Sequence, residues 1–149
     1  MRIRSLDKGL VDFTPVLDAA ILANNEIFMA VQAISGVFRD PTETRKMVSV
    51  TVLDGDAQNQ AFDLFFFSGS ASLGTINSTV TITDADAAKI IGRVPMVVAT
   101  HASSLVNSIL FHQAVSIICP GPTLYVGAVI RSGTPTFTAS GMKMRLGFE

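Results

Sequence analysis

The chain has 149 residues, of which 48% are apolar and 15% charged, and its net charge is -1. This composition excludes a disordered tail, and the balanced charge argues against a nucleic-acid binder or an acidic buffer. Val, Ile and Thr, whose branched side chains suit strands, account for 40 of the 149 residues. We therefore expect a single β domain over residues 1–149 that folds without disulfides.

The N-terminus carries three basic residues and no apolar segment of the kind that forms a secretory signal. Residues 1–10 are predicted to form an extended arm. Three charges are ordinary for a solvated terminus, and the alternative is an arm that docks on an acidic neighbour or a sister subunit, with Arg2, Ile3 and Arg4 as its candidate contacts.

Alternating and apolar runs separated by turn residues predict an antiparallel β-sandwich or a jelly-roll-like barrel. Residues 19–22 and 27–38 are expected to be strands. The clearest strand covers 47–53, and the Asp54-Gly55 turn after it predicts a hairpin with a buried strand at 61–67.

The second half of the chain contains the one predicted helix, near 84–91, where Thr83 can cap the start and Gly92 can end it. Residues 94–130 carry no Asp, Glu, Lys or Arg, but polar residues interrupt them, so we expect buried strands there rather than a membrane span. The final strand, 142–149, alternates with period two. The segment 124–130 is expected to pair with it or with 136–138.

Few residues point to catalysis. His101 and His112 lack partners at metal-ligand spacing, and we expect them at strand ends or at an interface. Cys119 is expected to be a buried, inert thiol. The motifs of nucleotide-binding loops and of common hydrolases are absent from the sequence. We therefore predict no catalytic residues, no cofactor and no metal, and a protein that is not an enzyme.

Two acidic positions need an explanation. Asp54 and Asp56 could suggest calcium, but a tight turn accounts for them without the further ligands that an EF-hand loop requires. Asp63 lies inside an apolar strand, and a carboxylate there must be ion-paired, hydrogen-bonded or at an interface. We expect a structural salt bridge or hydrogen bond.

Five segments in this order resemble a group of small structural proteins of tailed bacteriophages, the capsid decoration or cement proteins. The similarity covers residues 45–149, about 70% of the chain. The segments that carry it are Val48–Asp54, Gln60–Phe67, Ile82–Val94, Leu124–Phe137 and Met142–Phe148.

The resemblance implies a β-sandwich or jelly roll that forms a homotrimer, binds the phage major capsid protein on the outer surface of the virion and stabilises the shell. We expect no nucleic-acid or membrane partner, no cofactor, synthesis in the host cytoplasm, and contacts of Arg2, Ile3 and Arg4 with the capsid or a sister subunit. The alternatives are another virion component, such as a head-fibre base, a tail protein or a host-binding protein, and a small-ligand β-barrel or enzyme. The last would have a deep pocket in which Asp63, His101 or His112 meets another polar group.

Overall fold

The computed structural model describes residues 9–149, which form two antiparallel sheets packed face to face. The strands are β1 (Leu10–Phe13), β2 (Ile27–Ile34), β3 (Thr44–Asp54), β4 (Phe62–Phe67), β5 (Ile90–Met96), β6 (Ala102–Ser104), β7 (Ile109–Pro120), β8 (Leu124–Ile130) and β9 (Met142–Phe148). Two one-turn helices, α1 (Asp84–Ala87) and α2 (Val98–His101), lie before and after β5.

The five-stranded sheet has the order β1-β9-β3-β7-β6, and the four-stranded sheet has the order β2-β8-β4-β5. This confirms the predicted mainly-β antiparallel sandwich. A buried aromatic pair joins the layers: Phe62 on β4 meets Phe111 on β7 with ring centroids 5.0 Å apart. Within the four-stranded sheet, Phe28 on β2 lies 5.7 Å from Phe62. Edge-to-face rings at this separation add to the stabilisation from burial.

The predicted hairpin of 47–53 with 61–67 is wrong, because β3 and β4 belong to different sheets. The chain crosses between the layers after Asp54. The Asp54 carboxylate accepts the backbone N–H groups of Asp56 and Gln58, and Asp56 accepts the N–H of Thr138. These bonds hold the segment as a crossing loop instead of a two-strand turn.

The expected partners of 124–130 are also wrong. β8 pairs with β2 and β4, and β9 pairs with β3 and β1. Residues 136–138 form no strand, and neither do 19–22, while β2 ends at Ile34 rather than at residue 38. An alternating pattern of apolar and polar residues identifies a strand but not the strand that pairs with it, because several strands of this protein have a similar apolar face.

The structure has a helix at the start of the predicted segment 84–91 but not over its full length. Thr83 Oγ1 accepts the N–H of Asp86, as the capping pattern requires. The helix ends at Ala87, so Gly92 is not its stop: Gly92 lies within β5, where a Cβ would come 2.6 Å from Ile117. The second short helix, α2, was not predicted.

The long loop 68–82 packs on the outer face of the four-stranded sheet and forms a second, smaller core. Leu73 is buried there against Ile27, Phe67 and Val129. Gly127 on β8 allows this approach, because a Cβ at that position would lie 2.8 Å from Leu73. The loop covers part of this face, and the end of the face that carries Asp63 remains uncovered.

Candidate interaction surfaces

The two histidines make local hydrogen bonds at separate places. His101 ends α2, and its Nδ1 accepts the N–H of Val97 at 2.9 Å. His112 is exposed on β7, where its Nδ1 lies 2.8 Å from Thr51 Oγ1. Neither histidine lines the cavity that contains Asp63.

Cys119 is buried in the main core, as predicted. Burial raises the pKa of its thiol to about 11, against a smaller opposing effect of the Met47 backbone. The nucleophile in cysteine chemistry is the thiolate, so a thiol that remains protonated at neutral pH is unreactive.

The Asp54 and Asp56 carboxylates accept the hydrogen bonds that hold the crossing loop. Asp54 is buried, and burial raises its pKa more than the hydrogen bonds from Gln58 and Asp56 lower it. Across residues 9–149, no group of three or more His, Cys, Asp or Glu residues is placed to hold a metal ion.

Asp63 is ion-paired, which confirms the expected structural salt bridge. Its Oδ2 accepts the Nε–H of Arg93 at 3.1 Å and the Nε–H of Arg131 at 2.7 Å. The Asp63 side chain is only 5% exposed, whereas Arg93 is 58% and Arg131 is 34% exposed. Arg131 Nη1 also donates to Asn25 Oδ1 at 2.7 Å.

Sheet register brings these charges together. Asp63 on β4 lies opposite Pro95 of β5 on one side and Val129 of β8 on the other. Arg93 lies two residues before Pro95 and Arg131 two residues after Val129, so all three side chains point to the same outer face. Sequence reasoning identified Asp63 but neither arginine, because that register follows from strand pairing that the sequence did not reveal.

A cavity of about 380 Å³ opens beside these charges, and we call it the arginine pocket. Its charged lining residues are Asp63, Arg93 and Arg131, which together carry one net positive charge. Its other lining residues are Ala61, Phe62, Pro95, Met96 and Val97.

Exposed apolar side chains form a patch at the tip of the β6–β7 hairpin, which we call the hairpin tip. Val106 is 96% exposed there and Leu105 is 51% exposed. The N–H of Leu105 bonds to the carbonyl of Ser108, which holds the tip closed. Large aliphatic groups gain nothing from such exposure in an isolated molecule.

A second apolar patch, the β2-edge patch, lies along the edge strand of the four-stranded sheet. Val16 is 67% and Ile76 is 40% exposed, and both line a cavity of about 370 Å³ with Ala30 and Gln32. The side chain of Gln32 makes two hydrogen bonds with the backbone of Val16. Because β5 packs near β7, the β2 edge and the hairpin tip lie at opposite edges of the sandwich.

The predicted contacts Arg2, Ile3 and Arg4 lie outside the described residues. Of the predicted arm 1–10, the described part is tied to the sheet: the Gly9 carbonyl accepts the N–H of Phe148, and Leu10 pairs with Gly147 in β9. No helix within residues 9–149 has the length and apolar character needed to cross a membrane.

Comparison of the chain with protein-family models, with curated proteins and with solved structures gave no match.

Proposed function

We propose that this protein is a virion structural protein that binds the outer surface of a bacteriophage capsid as a homo-oligomer, a trimer in the form that the resemblance implies, and stabilises the shell. Its partners are then sister copies and the major capsid protein. The observation that carries the proposal is the exposure of Val106 and Leu105 at the hairpin tip. Neighbouring apolar groups exposed together at a hairpin tip are typical of a protein-protein contact.

The position of the two apolar patches suits this role. A decoration protein needs one surface for its sister subunits and another for the shell. The hairpin tip and the β2-edge patch, with Val106 and Val16 as their most exposed members, occupy opposite edges of the sandwich and can serve these two contacts separately. Many weak contacts on a repetitive lattice add up to strong attachment, and a ligand that binds only the assembled shell stabilises it.

The test is co-sedimentation of the purified chain with undecorated phage heads, together with light scattering to determine its oligomeric state. We expect saturable binding by an oligomer and heads that withstand higher temperature when decorated. Val106→Asp and Val16→Asp should each weaken either self-association or head binding. Ser140→Asp adds the same charge at an exposed turn and should leave both unchanged.

A monomer that binds no head would overturn the proposal. Saturable binding to purified tails or to host glycans, with no binding to heads, would instead assign the protein another place in the virion or at the host surface.

A further inference from the structure

We propose that the arginine pocket binds a single carboxylate group, presented as a Glu or Asp side chain of a protein partner. This binding would be a property of the pocket whatever assembly the partner belongs to, and it goes beyond the capsid role proposed above.

The first argument is the supply of hydrogen-bond donors. A guanidinium carries five N–H donors. Asp63 takes the Nε donor of each arginine, and Asn25 takes one further donor from Arg131. Within residues 9–149, the Nη groups of Arg93 and Nη2 of Arg131 have no protein acceptor. These donors border an open cavity, where a ligand can reach them.

The second argument is charge. Two arginines and one aspartate leave the pocket with one net positive charge, which a single carboxylate neutralises. A phosphate group carries up to two negative charges at neutral pH and would stand close to the buried Asp63 carboxylate. A planar carboxylate also matches the forked geometry of a guanidinium, with two parallel hydrogen bonds.

The third argument is the lining of the pocket. Pro95 and the exposed Val97 give it an apolar wall beside the charges. The methylene groups of an acidic side chain would pack on this wall while the carboxylate meets the arginines. A cavity of about 380 Å³ accommodates a side chain but no folded element.

Asp63 has a defined part in this arrangement. By accepting one Nε–H from each arginine, it fixes both guanidinium groups before a ligand arrives. Groups that are already ordered lose less entropy on binding. Asp63 also limits the net charge and so selects a singly charged ligand over a doubly charged one.

The experiment follows the Arg Nε–Hε signals by NMR during three titrations of the full chain. The probes are N-acetyl-glutamate N-methylamide, its uncharged glutamine counterpart and inorganic phosphate. We expect a saturable shift of the Arg93 and Arg131 signals with the glutamate probe, with a dissociation constant on the order of millimolar, because one short side chain makes few contacts. The glutamine probe should produce no saturable shift, and phosphate should bind more weakly than the glutamate probe.

Arg93→Gln should weaken binding of the glutamate probe about tenfold, since it removes one guanidinium. Asp63 keeps its partner Arg131 in this variant, so the fold is retained. Lys46→Gln is the matched control. It removes the same charge from an exposed position on the other sheet and should leave the affinity unchanged.

Asp63→Asn separates ligand selection from a merely structural role. Loss of the buried negative charge should raise the affinity for phosphate more than the affinity for the glutamate probe, because the pocket then carries two net positive charges. The proposal is overturned by no saturable shift with the glutamate probe, by equal shifts with the glutamine probe or by equal affinity for phosphate in the unaltered chain. Carboxylate binding without any binding to phage heads would overturn only the capsid proposal.

Discussion

Arg131, directly after β8, donates its Nε–H to Asp63 on β4 at 2.7 Å, and the carboxylate that receives it is almost completely buried. A chemically similar pair, Arg145 and Asp12, joins β9 to β1 at 2.6 Å, but its side chains are 56% and 67% exposed. The Arg145–Asp12 pair makes two hydrogen bonds and the Arg131–Asp63 pair makes one, but only the Asp63 carboxylate is shielded from water. A buried ion pair leaves an uncompensated charge when one partner is removed, whereas water replaces a lost surface partner.

Arg131→Ala should therefore lower the free energy of unfolding by about 2 kcal/mol, because the buried Asp63 carboxylate loses its shorter ion pair and keeps only the exposed Arg93. Arg145→Ala should have a much smaller effect, because water reaches the Asp12 carboxylate that it leaves behind. Urea denaturation of both variants and the parent chain measures the difference. Equal losses would mean that burial does not determine the contribution of the Asp63 pairs.

The second core depends on the absence of a side chain at Gly127. A Cβ there would lie 2.8 Å from Leu73 and 3.0 Å from Val31. Gly127→Ala should cost about 1–3 kcal/mol, since the loop 68–82 must shift away from the sheet. Thermal unfolding and hydrogen exchange of the loop amides measure this effect.

The matched control for Gly127 is Gly69→Ala, whose Cβ would meet Lys89 at an ordinary 3.6 Å and should change stability little. Leu73→Ala should destabilise less in the Gly127→Ala background than in the parent chain, because there it also removes the obstructing methyl groups. Full additivity of the two substitutions in a double-mutant cycle would contradict the proposed clash.

The fold class could be predicted from the sequence because period-two patterns, as in β3 and β9, report burial residue by residue. Strand pairing could not be predicted in the same way. The crossing after Asp54 depends on hydrogen bonds to Thr138, which is more than 80 positions away in the chain. A two-residue turn signal contains no information about such a distant partner.

The residues of the arginine pocket could likewise be predicted only in part. That Asp63 needed a partner followed from its apolar neighbours alone. That the partners are Arg93 and Arg131 follows from the pairing of β4 with both β5 and β8. The hairpin tip was within reach of sequence reasoning, because Leu105 and Val106 lie in a segment whose neighbours are polar.

The loop 68–82 is fastened to α1 through Asp86. Its carboxylate accepts the N–H of Ser72 and pairs with Lys89, whose Nζ also donates to the carbonyl of Ser70. Asp86→Ala should speed hydrogen exchange at Ser72 and its neighbours while the strands stay protected. Unchanged exchange in the loop would show that the bonds of Asp86 do not hold it.

The same fastening should depend on pH. The hydrogen bond from Lys89, and next that from Ser72, lower the pKa of Asp86 below its ordinary value. A lowered pKa stabilises the folded state above the ordinary Asp value, and this contribution is lost as the pH falls through the folded value. The protection factor of the Ser72 amide, which corrects for the intrinsic pH dependence of exchange, should therefore fall in acid in the parent chain, and Asp86→Asn should remove most of that change.

Cys119 should make stability fall in alkaline solution. Its pKa is raised from 9.0 to about 11 by burial, so the unfolded chain ionises first as the pH rises. The unfolded state binds fewer protons than the folded state across this window, and the free energy of unfolding must therefore decrease from about pH 9 to about pH 11. Cys119→Ala should show a smaller decrease over the same range, whatever its stability at neutral pH. Urea denaturation at several pH values measures both slopes, and parallel slopes would mean that the folded and unfolded thiols ionise alike.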